Sequence, residues 1–150
     1  MHENTHYSLV MAAPDGDSGV LPRSGRRPAI LVIDTDSRRR SELSKMLAGK
    51  GFTVVTAGNG EEALTLVGKG GVVLVVSSVV MPRMDGLEFL RAMRESQPLI
   101  PVVVIASGDQ AIDQVYLRGA DLLGAARSFC WPLLESAFLD CVETLLEQAS

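Results

Sequence analysis

Three short runs, Ala29-Ile30-Leu31-Val32-Ile33, Val72-Val73-Leu74-Val75-Val76 and Val102-Val103-Val104-Ile105-Ala106, are apolar at every position. A strand with one wet face alternates polar and apolar residues with period two. A strand with no polar position has to be covered on both faces. Such strands belong to parallel sheets, because two parallel neighbours need a crossover that lays a helix over the sheet. The intervening stretches have the matching character. Ser37 to Lys50 carries Leu43, Met46 and Leu47 at helical spacing, and Gly49 and Gly51 stop it. Phe52 to Ala57 reads as a second strand. Asn59 opens a second helix with Glu62 at the capping-box position, and Gly68, Gly70 and Gly71 end it. The third strand runs from Val72 to about Ser77. Asp85 and Glu88 repeat the capping pattern before a third helix that Pro98 closes. Pro101 to Ala106 is a fourth strand, Asp109 to about Leu123 a fourth helix, Arg127 to Trp131 a weaker fifth strand, and Leu133 to Glu147 the last helix. The pattern predicts an α/β domain: a doubly wound, five-stranded parallel sheet with helices on both faces.

A chain of 150 residues suffices for one domain with a real core. Residues 1–28 differ in kind: Pro14-Asp15-Gly16-Asp17-Ser18-Gly19 and Pro22-Arg23-Ser24-Gly25-Arg26-Arg27-Pro28 are turn and linker chemistry without a sustained period. They are expected to form a disordered tail, with residues 29–150 as the ordered domain and no room left for a DNA-binding or enzymatic output domain. A net charge of −4 argues against a nucleic-acid partner. No apolar run is long enough to span a bilayer, and Met1 to Tyr7 has no basic, apolar leader, so the expected setting is the cytoplasm, away from the membrane. The two cysteines, Cys130 and Cys141, have no metal-ligand spacing and read as reduced thiols. Pairing between chains stays open if Cys141 lies on an exposed helix face.

In open parallel sheets the chemistry gathers at the carboxyl ends of the strands. Those ends carry Asp34, Thr35 and Asp36, then Ser77 and Ser78, then Ala106 and Ser107, then Trp131. Three segments here resemble the receiver domains of response regulators, the phosphoacceptor modules of bacterial two-component signalling. They are Ile30-Leu31-Val32-Ile33-Asp34-Thr35-Asp36, then Val79-Val80-Met81-Pro82-Arg83-Met84-Asp85-Gly86, and Gly124-Ala125 with the later Trp131-Pro132. The resemblance covers roughly residues 28–148 and implies a flavodoxin-like, receiver-type fold. It also implies a site in which two acids after the first strand and an aspartate after the third hold Mg²⁺, a hydroxyl after the fourth strand bonds the phosphoryl group, and a lysine after the fifth balances its charge.

This chain departs from that pattern at most positions. Asp34 matches the first acid, Thr35 stands at the second, and Asp36 is acidic one residue late. Ser78, four residues before Pro82, stands at the phosphoacceptor; Ala106 at the hydroxyl, with Ser107 next to it; Trp131 at the lysine. A serine hydroxyl needs a neighbouring base to act as nucleophile, and His2 and His6 lie in the tail. Mg²⁺ seeks hard oxygen ligands, carboxylates among them. With Asp34 as the one well-placed carboxylate, Mg²⁺ binding is expected to be weak or absent, Asp34 being a weak candidate ligand. Asp34 is expected to accept hydrogen bonds from loop amides or from Thr35 and Ser78, and Trp131 to cover the recessed Ser78 as a lid. The expected protein is no enzyme and has no catalytic residue or cofactor. It is a degenerate, pseudo-receiver module that recognises a protein without phosphorylation. The alternative is an active phosphoacceptor using a non-standard residue such as Asp34 or Asp36, or an engineered Asp-to-Ser variant of one. A further alternative, an anionic small ligand held by arginines of the tail and of Arg38-Arg39-Arg40, has no specific spacing behind it; those three otherwise read as a solvated face.

The last helix bears on partners. Leu133, Leu134, Ala137, Phe138, Cys141, Val142, Leu145 and Leu146 form an apolar stripe wider than one sheet contact needs. It reads either as a surplus interaction strip or as simple burial. Trp131, Leu134, Phe138, Cys141 and Leu145 are the partner-binding candidates. The resemblance points to the same face, made by the fourth helix, fifth strand and fifth helix, for a histidine kinase, another regulator or a second copy of the chain as a homodimer.

Overall fold

The structure, a computed structural model, describes residues 27–81 and 83–148. The tail expected over residues 1–28 lies outside them up to residue 26, and Pro82 lies outside them too. Five strands, β1 (Ala29–Ile33), β2 (Val54–Ala57), β3 (Val72–Ser78), β4 (Val102–Ala106) and β5 (Arg127–Cys130), form one sheet in the order β2-β1-β3-β4-β5. Every neighbouring pair is parallel. The connecting helices are α1 (Ser37–Gly49), α2 (Gly60–Gly68), α3 (Gly86–Ser96), α4 (Gln110–Leu122) and α5 (Glu135–Gln148). The expected doubly wound α/β sheet is therefore what forms.

Side-chain parity divides the core into two layers. Ile30, Val32, Leu74, Val76, Val103 and Ile105 point to one face, where Leu43 and Leu47 of α1 and Phe138, Val142 and Leu146 of α5 cover them. Leu31, Ile33, Val75, Val102, Val104 and Ala106 point to the other, under α2, α3 and α4. β1 and β4 are buried throughout, as runs without a polar position require. Each large aliphatic side chain so covered contributes about 1.5–3 kcal/mol. The chain winds one way from β1 to β2 and the other way from β3 to β5. The reversal opens a crevice at the carboxyl ends of β1 and β3, where Asp34 and Ser78 stand.

Caps set the helix starts. The Asp36 carboxylate accepts from the amides of Arg38 and Arg39, Asn59 accepts from Glu62, and Asp85 forms a reciprocal box with Glu88. At Asn59 the expected box is shifted by one residue: Glu62 Oε1 accepts from the Gly58 amide at 2.8 Å. β2 begins at Val54, later than expected, because Gly51 turns the chain with φ +94° and the Phe52 amide is held by Leu47 O of α1. The stripe on α5 resolves in favour of burial. Phe138 and Cys141, expected at a partner surface, are 0% and 5% exposed and belong to the core, because α5 lies across the sheet with that face down. Leu145 is half-buried against the same cluster. Leu134 stays 71% exposed. The cysteines are likewise opposite to the condition set for pairing through α5: Cys141 is buried and Cys130 exposed. Burial also pushes the Cys141 thiol up from its ordinary range.

Gly86 is the tightest joint in the frame. A Cβ there would lie 2.5 Å from Ser78 O and 2.6 Å from Val79 Cα, both backbone atoms. Replacing Asp85 by Ala removes a cap and is expected to cost about 1 kcal/mol. Gly86→Ala forces α3 away from the β3 exit and is expected to cost more, about 1–3 kcal/mol. Urea denaturation of both variants checks the order; a Gly86→Ala protein as stable as the parent would contradict the close approach.

Candidate functional site

Continuing the parity of β1, β3 and β5 past their last core residues puts Asp34, Ser78 and Trp131 above the same layer, at the carboxyl edge. Asp34 is 3% exposed. Its Oδ1 accepts from the Asp36 amide at 2.9 Å, and its own carbonyl accepts from Arg40 Nη1 at 2.7 Å. Burial raises the Asp34 carboxyl above the ordinary carboxylate range, against the opposing pull of the Asp36 amide and of the Arg39 charge. The expected loop-amide partner is thus present. Thr35 and Ser78 are turned elsewhere: Thr35 Oγ1 donates to Gly58 O at 3.3 Å and Ser78 Oγ to Val80 O at 3.4 Å. Ser78 is 7% exposed, as a recessed strand end should be.

Asp36 faces the helix. Its Oδ1 accepts from Arg38 N at 2.9 Å and Arg39 N at 3.3 Å. Those amide bonds, Arg39 first, hold its carboxyl below the ordinary range. Among the described residues no three Asp, Glu, His or Cys side chains gather where they could hold a metal ion. Of the side-chain oxygens placed here, the Asp34 and Asp36 carboxylates are both engaged by backbone amides, and the others are neutral hydroxyls. That set is a poor match for Mg²⁺.

Trp131 is half-buried against the α1–α5 layer, and its ring partner is Arg39, whose Cζ lies 5.8 Å from the ring centroid. Contacts of this kind contribute about 0.5–1 kcal/mol at exposed sites. Arg39 also lies 3.9 Å from Asp36 Oδ2. The expectation of a solvated arginine face thus fails for Arg39 and Arg40, which brace the β1–α1 turn, and fits Arg38, which is exposed. The cations at this edge come from α1, while Trp131, the residue after β5, supplies an aromatic face.

Ala106, the last residue of β4, is fully buried. Ser107 Oγ donates to Asp113 Oδ1 at 3.0 Å. Asp113, 4% exposed, was not anticipated from the sequence. The signal for it was available: the turn at Ser107-Gly108-Asp109 leaves backbone amides that need an acceptor, and an acid in the first turn of the following helix is the nearest one. In the β3–α3 loop, Arg83 takes a left-handed φ of +71° and its Nη1 meets Glu61 Oε1 of α2 at 3.2 Å.

This fold and this crevice define a receiver-type α/β domain. The sequence model of the response regulator receiver domain matches residues 30–123, and the chain belongs to that family. Its relatives include response regulator MprA of Mycolicibacterium vanbaalenii, 37% identical over 86 residues, a match covering 57% of this chain and 37% of that protein. The DNA-binding transcriptional regulator NtrC of Salmonella typhimurium is 33% identical over 97 residues, covering 63% of this chain and 21% of that protein. The chain thus spans well under half the length of these relatives. Among solved structures, the signal receiver domain of an HD domain-containing protein from Pseudomonas fluorescens Pf-5 superposes with a TM-score of 0.76 at 26% identity, covering 83% of this chain and 98% of that one. The receiver domain of NtrX from Brucella abortus gives 0.73 at 28% identity, with coverages of 79% and 98%. β5, Trp131 and α5 lie beyond the matched segment of the family model.

A raised carboxyl gives Asp34 a defined stability signature. Its neutral form is favoured in the native state, so the stabilisation is complete below the unfolded-state value of about 3.9 and is lost as pH rises through the higher folded value. Asp34→Asn keeps an acceptor oxygen for the Asp36 amide and removes the charge. The variant is expected to melt above the parent at pH 7, with the gap closing toward pH 4; thermal melts across that range check it, and a lower melting temperature at pH 7 would contradict the burial argument.

Proposed function

We propose that this receiver domain works as a pseudo-receiver: a phosphorylation-independent protein-interaction module, not an enzyme, acting in the cytoplasm without a metal cofactor. The observation that carries the reading is the fate of the carboxylates. Asp36, the only acid adjacent to Thr35 besides Asp34, is committed to the amides of α1. Asp34 is buried, raised and amide-bound. Ser78 stands where the family has its phosphoacceptor, and its hydroxyl donates to the Val80 carbonyl, an acceptor too weakly basic to take its proton. Phosphoryl transfer depends on charge stabilisation at the moving group. Here both acids of the edge are engaged by backbone amides, Arg40 is held on the Asp34 carbonyl and Arg39 on the Trp131 indole.

Recognition then falls to surface contacts. α4 exposes Val115 (70%) and Leu122 (88%), seven residues apart and so on one face of the helix, and Leu134 stands out before α5 at 71%. Isolated apolar side chains on a surface are ordinary, but three on the α4–β5–α5 side supply anchors for a histidine kinase, another regulator or a second copy of the chain. Phe138 and Cys141 take no part, being core residues. No nucleic-acid partner is proposed, and among the described residues no helix is long and apolar enough to cross a membrane.

Trp131 is the only tryptophan and sits at the edge of the crevice, so it reports on ligand entry. Adding Mg²⁺ with beryllofluoride, or with a small phosphoryl donor, is expected to give no saturable change in its fluorescence. Ser78→Asp alone is expected to form no stable acyl phosphate, because Thr35, Ala106 and Trp131 remain. A saturable response in the parent chain would favour the alternative, a working phosphoacceptor at Asp34 or Asp36.

A further inference from the structure

The turn between β4 and α4 is held by one buried side chain. Asp113 Oδ1 accepts from the Ser107 amide at 3.2 Å and from the Ser107 hydroxyl at 3.0 Å, while Oδ2 accepts from the Gly108 amide at 2.7 Å. Ser107 Oγ in turn accepts from the Asp109 amide at 3.2 Å. Three consecutive amides are thus satisfied by a carboxylate and the hydroxyl it holds. The turn is confined from its other side by β5. Trp131 N donates to Ala106 O at 3.0 Å, and Gly108, at φ +99°, approaches so closely that a Cβ would lie 2.7 Å from Trp131 O. Neither contact involves Asp34, Asp36 or Ser78.

We propose that Asp113 is an internal latch: by gathering the Ser107, Gly108 and Asp109 amides it holds the β4–α4 turn, and with it the start of α4, in a single arrangement against Trp131. The latch deepens the reading of a phosphorylation-independent module, since a turn fixed by its own helix needs no arriving group to set it. Two properties give it physical content. The carboxylate is buried, so its bonds act in a medium of low dielectric and are not screened by solvent. Removing it leaves the Ser107 and Gly108 amides without their acceptor, so the turn must open to water for them to be satisfied. The Asp109 amide then depends on a hydroxyl no longer held in place. The consequence is local because β4 itself is anchored by β3 and β5 along its length.

Amide hydrogen exchange on the full chain, resolved by residue, tests this. In Asp113→Ala the Ser107, Gly108 and Asp109 amides are expected to exchange at least tenfold faster, together with the first turn of α4, while β1 and β3 stay within twofold of the parent. Ser107→Ala, which removes only the hydroxyl, is expected to accelerate the Asp109 amide with a smaller effect on Gly108, whose own bond to Asp113 remains. Trp131 fluorescence is expected to shift in Asp113→Ala, since the turn packs on its carbonyl. Unchanged exchange at residues 107–109, or acceleration spread evenly over the whole sheet, overturns the latch. The experiment uses no Mg²⁺ or phosphoryl donor, so its failure leaves the fluorescence titration of the crevice standing, and failure of that titration leaves the latch standing.

Discussion

Burial of the central strands on both faces is the constraint from which the rest of the molecule follows. β1 and β4 have no exposed residue, so helices must lie above and below them, and the only connections that deliver helices to both faces of a parallel sheet reverse direction between β1 and β3. That reversal fixes where a crevice opens and which residues border it. Asp34 and Ser78 are neighbours in space because they stand at the carboxyl ends of two paired strands, where Ile33 is in register with Ser77, although the sequence separates them widely.

At the crevice the same burial sets the electrostatics. Asp34 follows directly on a fully covered strand, and its carboxylate loses hydration there. Asp36 escapes this cost by turning outward to cap α1, which satisfies two backbone donors and keeps its charge in a wet setting. The cap also settles a conflict visible in the chain: three arginines opening a helix oppose its dipole, and an acidic cap with Arg39 drawn toward Asp36 and Trp131 offsets it. Charge at this edge is therefore neutralised by short-range contacts between the protein's own groups. The β4–α4 turn follows the same rule through Asp113, another acid whose oxygens are taken up by nearby amides.

Much of this was legible beforehand. The sheet, the order of its elements, and the strand ends that meet were readable because unbroken apolar runs and helix caps act locally, through burial and through the amides of the first turn. The departures from the family pattern at Thr35, Ser78, Ala106 and Trp131 were readable as residue identities. The width of the α5 stripe misled: Phe138 and Cys141 looked like surplus, yet a helix laid across a twisted sheet and against α1 buries a broader face than a helix touching one neighbour. Arg39 and Arg40 read as a solvated face, and Asp113 drew no reading, because their partners, Trp131, the Asp34 carbonyl and the Ser107–Gly108 amides, are set by loops whose paths no local pattern specifies.

What the sequence by itself determined is the architecture and the chemical inventory of the strand ends, since burial periodicity and residue type need no knowledge of distant contacts. Which oxygens remain available there was decided only by the tertiary structure. A carboxylate's role depends on the donor it faces, and Asp36 facing its helix, Asp34 facing a turn amide and Asp113 facing the β4–α4 turn are matters of backbone path. Hydrogen bonds act over about 3 Å, and the positions that fall within that reach are set only once both layers have packed.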